Sequence, residues 1–421
     1  MPIIYALFYF DTTSYYYKEG SPMNIFKKAY CRTFQTVFRI AIPLLPYRSP
    51  KLLHGMDELV EKLKDKKLSS VLLVTDAGIR KLGLTTHLEE LLAKSGIACT
   101  IYDGTVANPT TDNIAEALTV YKENNCQALI GFGGGSSMDC AKAVGACVAR
   151  PKTPLMKMKG ILKVIRPLPP LFAVPTTAGT GSETTLAAVI TDADTRVKYP
   201  INDFPLIPKY AVLDPEVTRS LPPFITASTG LDALTHAVEA YIGRSTTKKT
   251  RTAALKAVDL IFHNLREAYH DGNNMTARRN MLHASYYAGV AFTISYVGYV
   301  HAVAHSLGGK YNIPHGLANA VLLPIVLRDY ASAIQGKLHD LANAAGLSDE
   351  NDTDCVAAEK FICAIEGMLD EFSLGRTLAG IKTEDIPELA RHADAEGNPL
   401  YPVPVLMNAK ELEHFYTAVQ E

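Results

Sequence analysis

Asp232, His236, His301 and His315 supply one carboxylate and three imidazoles in a pattern that suits a divalent metal. Such a nitrogen and oxygen donor set fits iron(II) or zinc, and it lacks the thiolates of a structural zinc knuckle. Asp232 and His236 stand four residues apart in GLDALTHAVEAYIG (230–243), so a helix sets both on one face. Taken alone, such a pair is more often a side-chain hydrogen bond or a solvated face. In HAVAHSLGGKYNIPHG (301–316), His301 and His305 are again one turn apart, and His315 follows a loop with Gly-Gly and a proline. Three histidines within fifteen residues, in a chain of twelve, exceed what a core needs. Buried imidazoles are costly without partners, and ligation supplies one. Spacing alone leaves open which three of the four histidines bind.

A second chemistry lies upstream, in GFGGGSSMDCAKAVGA (131–146), which follows an apolar run and opens a helical pattern. At Gly133, Gly134, Gly135 and Ser136 the backbone can approach a diphosphate, and the N–H groups of a helix start favour anionic oxygens. The spacing is not GxGxxG, and a plain tight turn explains GGGS by itself equally well. PTTAGTGSETT (175–185) is another loop after a strand, where Thr176, Thr177, Thr180 and Ser182 could donate to phosphate or ribose oxygens. Its bland reading is a surface turn. Two such loops at the carboxyl ends of strands in one sheet point to a ligand crevice. Asp76, closing LLVTDAG, could accept from a ribose 2′-OH and repel a 2′-phosphate, or simply cap the next helix.

The elements that must position these groups follow from periodicity. LSSVLLVT (68–75), IACTIYD (97–103), QALIGF (127–132) and LFAVPTT (171–177) read as buried strands. THLEELLAKSG (86–96) and DNIAEALTVYKEN (112–124) read as helices between them, which predicts a parallel sheet covered on both faces. AAVITDADTRVKYPI (187–201) predicts a hairpin, and AVLDPEVTRSLPP (211–223) a short closing strand. Beyond Pro223 the chain is helical in period. The expectation is a Rossmann-like α/β dinucleotide-binding domain over 45–222 and an all-α metal and substrate domain over 223–421, after an extension over 1–44. The active site is expected in a cleft between the two halves.

At 421 residues the chain exceeds one small core. Net charge is −1, from 42 basic and 43 acidic side chains, so neither nucleic acid nor a membrane surface is expected as a partner. Seven scattered cysteines without a CxxC pair argue for reduced thiols in the cytoplasm. Residues 1–22, rich in Tyr and Phe, lack the basic start of a secretory signal and read as a disordered tail or a mis-assigned start.

Together GGGSSMDCAKAVG, PTTAGTGSE, GLDALTHAVEAY and HAVAHSLGGKYNIPHGLANAVLLP resemble the iron-containing (group III) alcohol dehydrogenases, from about residue 45 to the C-terminal region. The resemblance implies that Asp232, His236, His301 and His315 hold the metal, iron(II) with zinc also acceptable, and that His305 lies near the substrate. It places the GGGS turn at the diphosphate and the loop of Thr176, Thr177, Gly179 and Thr180 near phosphate and nicotinamide. It matches Asp76 to an acidic position associated with NAD preference, and Lys198 to a lysine near the nicotinamide ribose. The implied activity is NAD-linked interconversion of an alcohol and an aldehyde or ketone, in a homodimer, with His305 as proton relay. The nearest alternatives are a polyol dehydrogenase or a hydroxyacid–oxoacid transhydrogenase of the same superfamily. A dehydroquinate-synthase-like lyase fits less well, and a non-enzymatic NAD-binding protein least.

Overall fold

The computed structural model describes residues 23–421, so the reading of 1–22 lies outside the described residues. Two compact units emerge: Pro46–Thr226 with His270–Thr293, and the described residues up to Leu45 with Ala227–Tyr269 and Ile294–Glu421. The boundary drawn at 222 thus lies four residues from a division at 226, but a second division was not foreseen. Most of helix Met275–Ser295 belongs with the α/β unit. There the Tyr286 hydroxyl donates to the Pro50 carbonyl at 2.8 Å, and a Cβ on Gly289 would meet Thr184 Oγ1. A small residue lets that helix close on the 181–184 turn, a packing event that helical periodicity does not reveal.

The α/β unit is built on a six-stranded parallel sheet of order β1-β9-β6-β4-β2-β3. Its strands are β1 (Lys51–Leu53), β2 (Ser70–Val74), β3 (Ala98–Tyr102), β4 (Ala128–Gly133), β6 (Leu171–Pro175) and β9 (Tyr210–Val212). A three-stranded sheet holds β5 (Gly160–Ile161), β8 (Lys198–Asn202) and β7 (Ala187–Thr191), where β7 and β8 pair antiparallel as the predicted hairpin. Alternation along the strands divides the cores. Val71 and Leu73 of β2 pack with Leu59, Leu63, Leu88 and Leu92 of helices Met56–Asp65 and Thr86–Lys94. Leu72 and Val74 face Ile114, Tyr121, Ala141 and Val144 of helices Thr111–Glu123 and Gly135–Ala149. Both faces of a parallel sheet are therefore dry, as crossover helices require. β1 and helix Met56–Asp65 were not anticipated, because a three-residue strand carries almost no periodic signal.

The helical unit includes helices Ile25–Ala41, Lys248–His270, Tyr299–Tyr311, His315–Tyr330, Gln335–Ala344, Asp354–Glu371, Ile386–Gly397 and Ala409–Val419, and all of helix Pro223–Ile242 beyond Thr226. Helix Pro223–Ile242 is almost wholly buried and apolar around its circumference, which is how a central helix reads in sequence. Its buried polar side chains are Thr226, Ser228, Asp232, Thr235, His236 and Glu239.

Candidate metal centre and cofactor loops

Asp232, His236 and Glu239 recur at intervals of four and three, which stacks them along one stripe of helix Pro223–Ile242. Helix Tyr299–Tyr311 brings His301 and His305, and His315 is the first residue of helix His315–Tyr330, after Pro314 at its cap. One ligand atom each from Asp232, His236, His301 and His315 lies within 4.8 Å of the others. The ring centroids of His236 and His301 are 4.5 Å apart, and those of His301 and His315 are 5.4 Å apart. A histidine cluster this tight needs a cation at its centre or neutral rings. Burial, and then the neighbouring imidazoles, hold His301 well below the usual histidine range, so its ring is neutral and fit to bind.

The surroundings fix these rings. Glu239 accepts from Gly298 N–H and Val300 N–H, each at 2.8 Å, and from His301 Nδ1–H at 2.6 Å. That bond places the proton on Nδ1 and leaves the Nε2 lone pair facing the cluster. His301 Nε2 is buried and has no hydrogen-bond partner. An orphaned buried acceptor among three other donor atoms is what a bound cation would satisfy, so the residues fit a divalent metal. Asn319, one turn along from His315, donates from Nδ2 to Asp232 Oδ1 at 2.7 Å and approaches His315 Nε2 at 3.0 Å. Two glycines permit the crowding: a Cβ on Gly298 would lie 2.7 Å from Glu239 Oε1, and one on Gly316 would lie 2.6 Å from the Ser228 carbonyl. The glycine of the PHG turn is there for clearance.

His305 stacks on His315 with centroids 5.1 Å apart but is not one of the four converging residues. Its Nδ1 donates to Glu396 Oε1 at 2.6 Å, and the Tyr401 hydroxyl donates to the same oxygen at 2.6 Å. Loss of solvation pulls the imidazole down, but the Glu396 carboxylate more than compensates, and the net pKa is raised. His305 thus holds a proton through Glu396 while keeping Nε2 available. Glu396→Gln should move the rising limb of the pH–rate profile for alcohol oxidation to lower pH, because the neutral, proton-accepting ring then forms sooner. His305→Ala should retain metal and lose about 10²-fold in rate. A wild-type profile in either variant counts against the relay.

In the α/β unit Gly133 ends β4 at φ +146°, where a Cβ would lie 2.6 Å from Ser137 Oγ. Gly134 is the N-cap of helix Gly135–Ala149, no side chain caps this end, and a Cβ on Gly134 would meet nothing within 4 Å. The first-turn N–H groups, including that of Ser136, are left to an external acceptor. Thr180 sits over Gly135, with Oγ1 3.6 Å from the position of its missing Cβ. Thr176 N–H donates to the Gly133 carbonyl at 3.0 Å, and Gly179 lies between these contacts in the same loop. Thr177 Oγ1 is buried without a partner.

Two predicted cofactor groups have other occupations. Ser182 is turned inward, donating to Asp139 Oδ1 at 2.8 Å and accepting from Lys142 Nζ at 2.9 Å. Its hydroxyl fixes the loop and is not presented to a ligand. Asp76 caps helix Ala77–Lys81, with Oδ1 accepting from Ile79 N–H at 2.9 Å, while Oδ2 stands 3.6 Å from the missing Cβ of Gly133. Capping and proximity to the glycine turn therefore coexist. Lys198 is exposed at the start of β8, paired in register with Thr191.

Sequence reasoning passed over Glu239, Asn319, Glu396 and Lys142. Lys142 is fully buried and also donates to Thr185 Oγ1 and to the Ala187 carbonyl, each at 2.8 Å. A lysine inside the apolar pattern CAKAVGA, and a glutamate one turn past His236, were the available signals.

Four converging metal-ligand side chains in a helical unit, in a chain that also carries a parallel sheet with an uncapped glycine turn, are features of the metal-dependent, dinucleotide-linked oxidoreductases. Residues 51–215 match the family of iron-containing alcohol dehydrogenases, and residues 226–419 match the C-terminal part of the same family. The 1,3-propanediol dehydrogenase of Klebsiella pneumoniae is 39% identical over 366 residues, covering 86% of this chain and 94% of that one. Alcohol dehydrogenase 4 of Saccharomyces cerevisiae is 40% identical over 343 residues, covering 80% and 88%. A crystal structure of a 1,3-propanediol oxidoreductase superposes with a TM-score of 0.84 at 38% identity, over 88% of this chain and 98% of the other. The chain belongs to the iron-containing alcohol dehydrogenase family.

Proposed function

We propose that the protein interconverts a small alcohol and its aldehyde or ketone by hydride transfer to and from NAD, with iron(II) held by Asp232, His236, His301 and His315. The convergence of these four side chains around the unpartnered His301 Nε2 carries the proposal. A divalent cation in that position supplies Lewis-acid stabilisation of negative charge on the substrate oxygen. The chain's own residues do the rest. Glu239 sets the His301 tautomer, Asn319 orients Asp232, and His305 with Glu396 takes up or returns the hydroxyl proton. The uncapped start of helix Gly135–Ala149 receives the diphosphate, Thr177 Oγ1 supplies a further donor, and Asp76 Oδ2 disfavours a 2′-phosphate.

Similarity to propanediol and alcohol dehydrogenases supports short alcohols and diols as the substrate class. Seven unpaired thiols support a reducing, cytoplasmic setting, and a homodimer is the assembly expected of the family. The test is anaerobic purification, metal analysis, and a screen of short alcohols, diols and aldehydes with NAD(H) and NADP(H). Near-stoichiometric metal and NAD-preferring turnover are expected. NAD binding without turnover of any alcohol or aldehyde after iron loading would refute the reading, and zinc in place of iron would correct its metal.

A further inference from the structure

Helix Ile25–Ala41 precedes the family match, which begins at residue 51, and nothing described so far employs it. Lys27, Cys31, Gln35 and Phe38 recur at intervals of four, four and three, so they share one face of the helix. Cys31, Gln35 and Phe38 are buried. That face meets the stretch that follows helix Ile386–Gly397, NPLYPVP (398–404), which holds three prolines in seven residues. Proline has no N–H to give, so such a stretch joins neither a helix nor a sheet ladder, and its carbonyls must find donors elsewhere. The helix supplies them. Gln35 Nε2 donates to the Tyr401 carbonyl, and the Arg32 guanidinium to the Val403 and Pro404 carbonyls, each at 2.7 Å. Arg32 also donates to Gln35 Oε1 at 2.8 Å, which keeps the amide turned with its NH₂ toward the stretch. Lys27 pairs with Asp394 at 2.8 Å, and that carboxylate accepts from Asn398 Nδ2 at 2.7 Å.

The stretch so held carries Tyr401. Its ring is buried, and its hydroxyl donates to Glu396 Oε1 at 2.6 Å, the same oxygen that accepts from His305 Nδ1 at 2.6 Å. A carboxylate oxygen shared by two donors is oriented by both of them. If the backbone at Tyr401 shifts, the hydroxyl leaves that oxygen, Glu396 is free to rotate, and the imidazole bonded to it turns as well. The contacts from the helix to the imidazole are continuous: the Gln35 amide to the Tyr401 carbonyl, the Tyr401 hydroxyl to Glu396, and Glu396 to His305. All four residues belong to the same compact unit. Arg244 N–H fixes the neighbouring Pro402 carbonyl at 2.7 Å, but Gln35 and Arg32 hold the carbonyls on either side of it.

We propose that Gln35 and Arg32 are positioning residues for proton transfer: the helix ahead of the family match braces the Tyr401 stretch and so fixes Glu396 and His305 in their working orientation. This rests on the reading of His305 and Glu396 as the relay. The test is steady-state kinetics of the full-length, metal-loaded enzyme carrying Gln35→Met, Arg32→Lys, Tyr401→Phe or the pair Gln35→Met/Tyr401→Phe. Gln35→Met keeps the length and loses the donor, and Arg32→Lys keeps the charge and loses the fork. Each single variant is expected to lose about tenfold in kcat, with metal content and KM for NAD unchanged. The pair should be no slower than Tyr401→Phe alone, because both substitutions break one chain of contacts. Wild-type kcat in either helix variant, multiplied losses in the pair, or a loss that follows metal content would overturn the proposal. So would failure of both helix variants to fold, which would make the helix a requirement of the fold and not of the relay. Wild-type turnover in His305→Ala would remove the relay itself, whereas a slowed His305→Ala beside unimpaired helix variants would remove the brace alone.

Discussion

His315→Ala is expected to release the metal and to reduce alcohol oxidation and aldehyde reduction to background, with little loss of fold. His315 is the ligand at the edge of the cage, with its side chain 40% exposed, whereas Asp232, His236 and His301 are buried. Truncating it leaves no large cavity, and solvent can fill the space. The three remaining ligands hold a cation less tightly, and the substrate oxygen loses the charge stabilisation on which the barrier depends. The expected fall in kcat/KM is at least about 10³-fold, measured with metal content by mass spectrometry and melting temperature in excess chelator. Chelated wild type and the variant should melt at similar temperatures, since bound metal alone separates them. Substantial turnover in a metal-free variant would remove the cation from the chemistry altogether.

The parts of this site that sequence discloses are those set by local geometry. Asp232 with His236 and His301 with His305 are one-turn pairs, and a helix forces each pair onto one face whatever its surroundings. The central strands of the parallel sheet were readable for a similar reason, because β2 and β4 bury both faces and so appear as unbroken apolar runs. What stayed hidden depends on long-range approach. Glu239 and His301 are 62 positions apart, and His305 and Glu396 are 91 apart. Spacing cannot show that these pairs meet. Ser182 was placed among the cofactor donors because it shares a hydroxyl-rich loop with Thr177 and Thr180, yet the buried Lys142 claims it. The association of helix Met275–Ser295 with the sheet depends on a close approach at Gly181 and Gly289, which hydrophobic period does not record.

Glu239→Gln provides the sharpest test of how the cage is held, because it removes charge and keeps shape. The carboxylate accepts three N–H groups in a fully buried position, and burial pushes its pKa up to about 7 against the lowering effect of those donors. An amide of the same outline has one acceptor oxygen in place of two. Its NH₂ group must face at least one of Gly298 N–H, Val300 N–H and His301 Nδ1–H, donor against donor. If the imidazole yields, its proton moves to Nε2, the atom that must stay bare to face the cation. Metal affinity is therefore expected to fall about 10- to 100-fold, with turnover restored in part by excess metal. Stability without metal should fall by about 1–3 kcal/mol, the cost of a buried donor left unsatisfied. A merely structural glutamate would give the stability loss alone, with metal titration and the metal dependence of kcat unchanged. The conservative Glu239→Asp should not rescue binding, since the shorter side chain withdraws from His301 while Gly298 and Val300 remain fixed in the backbone.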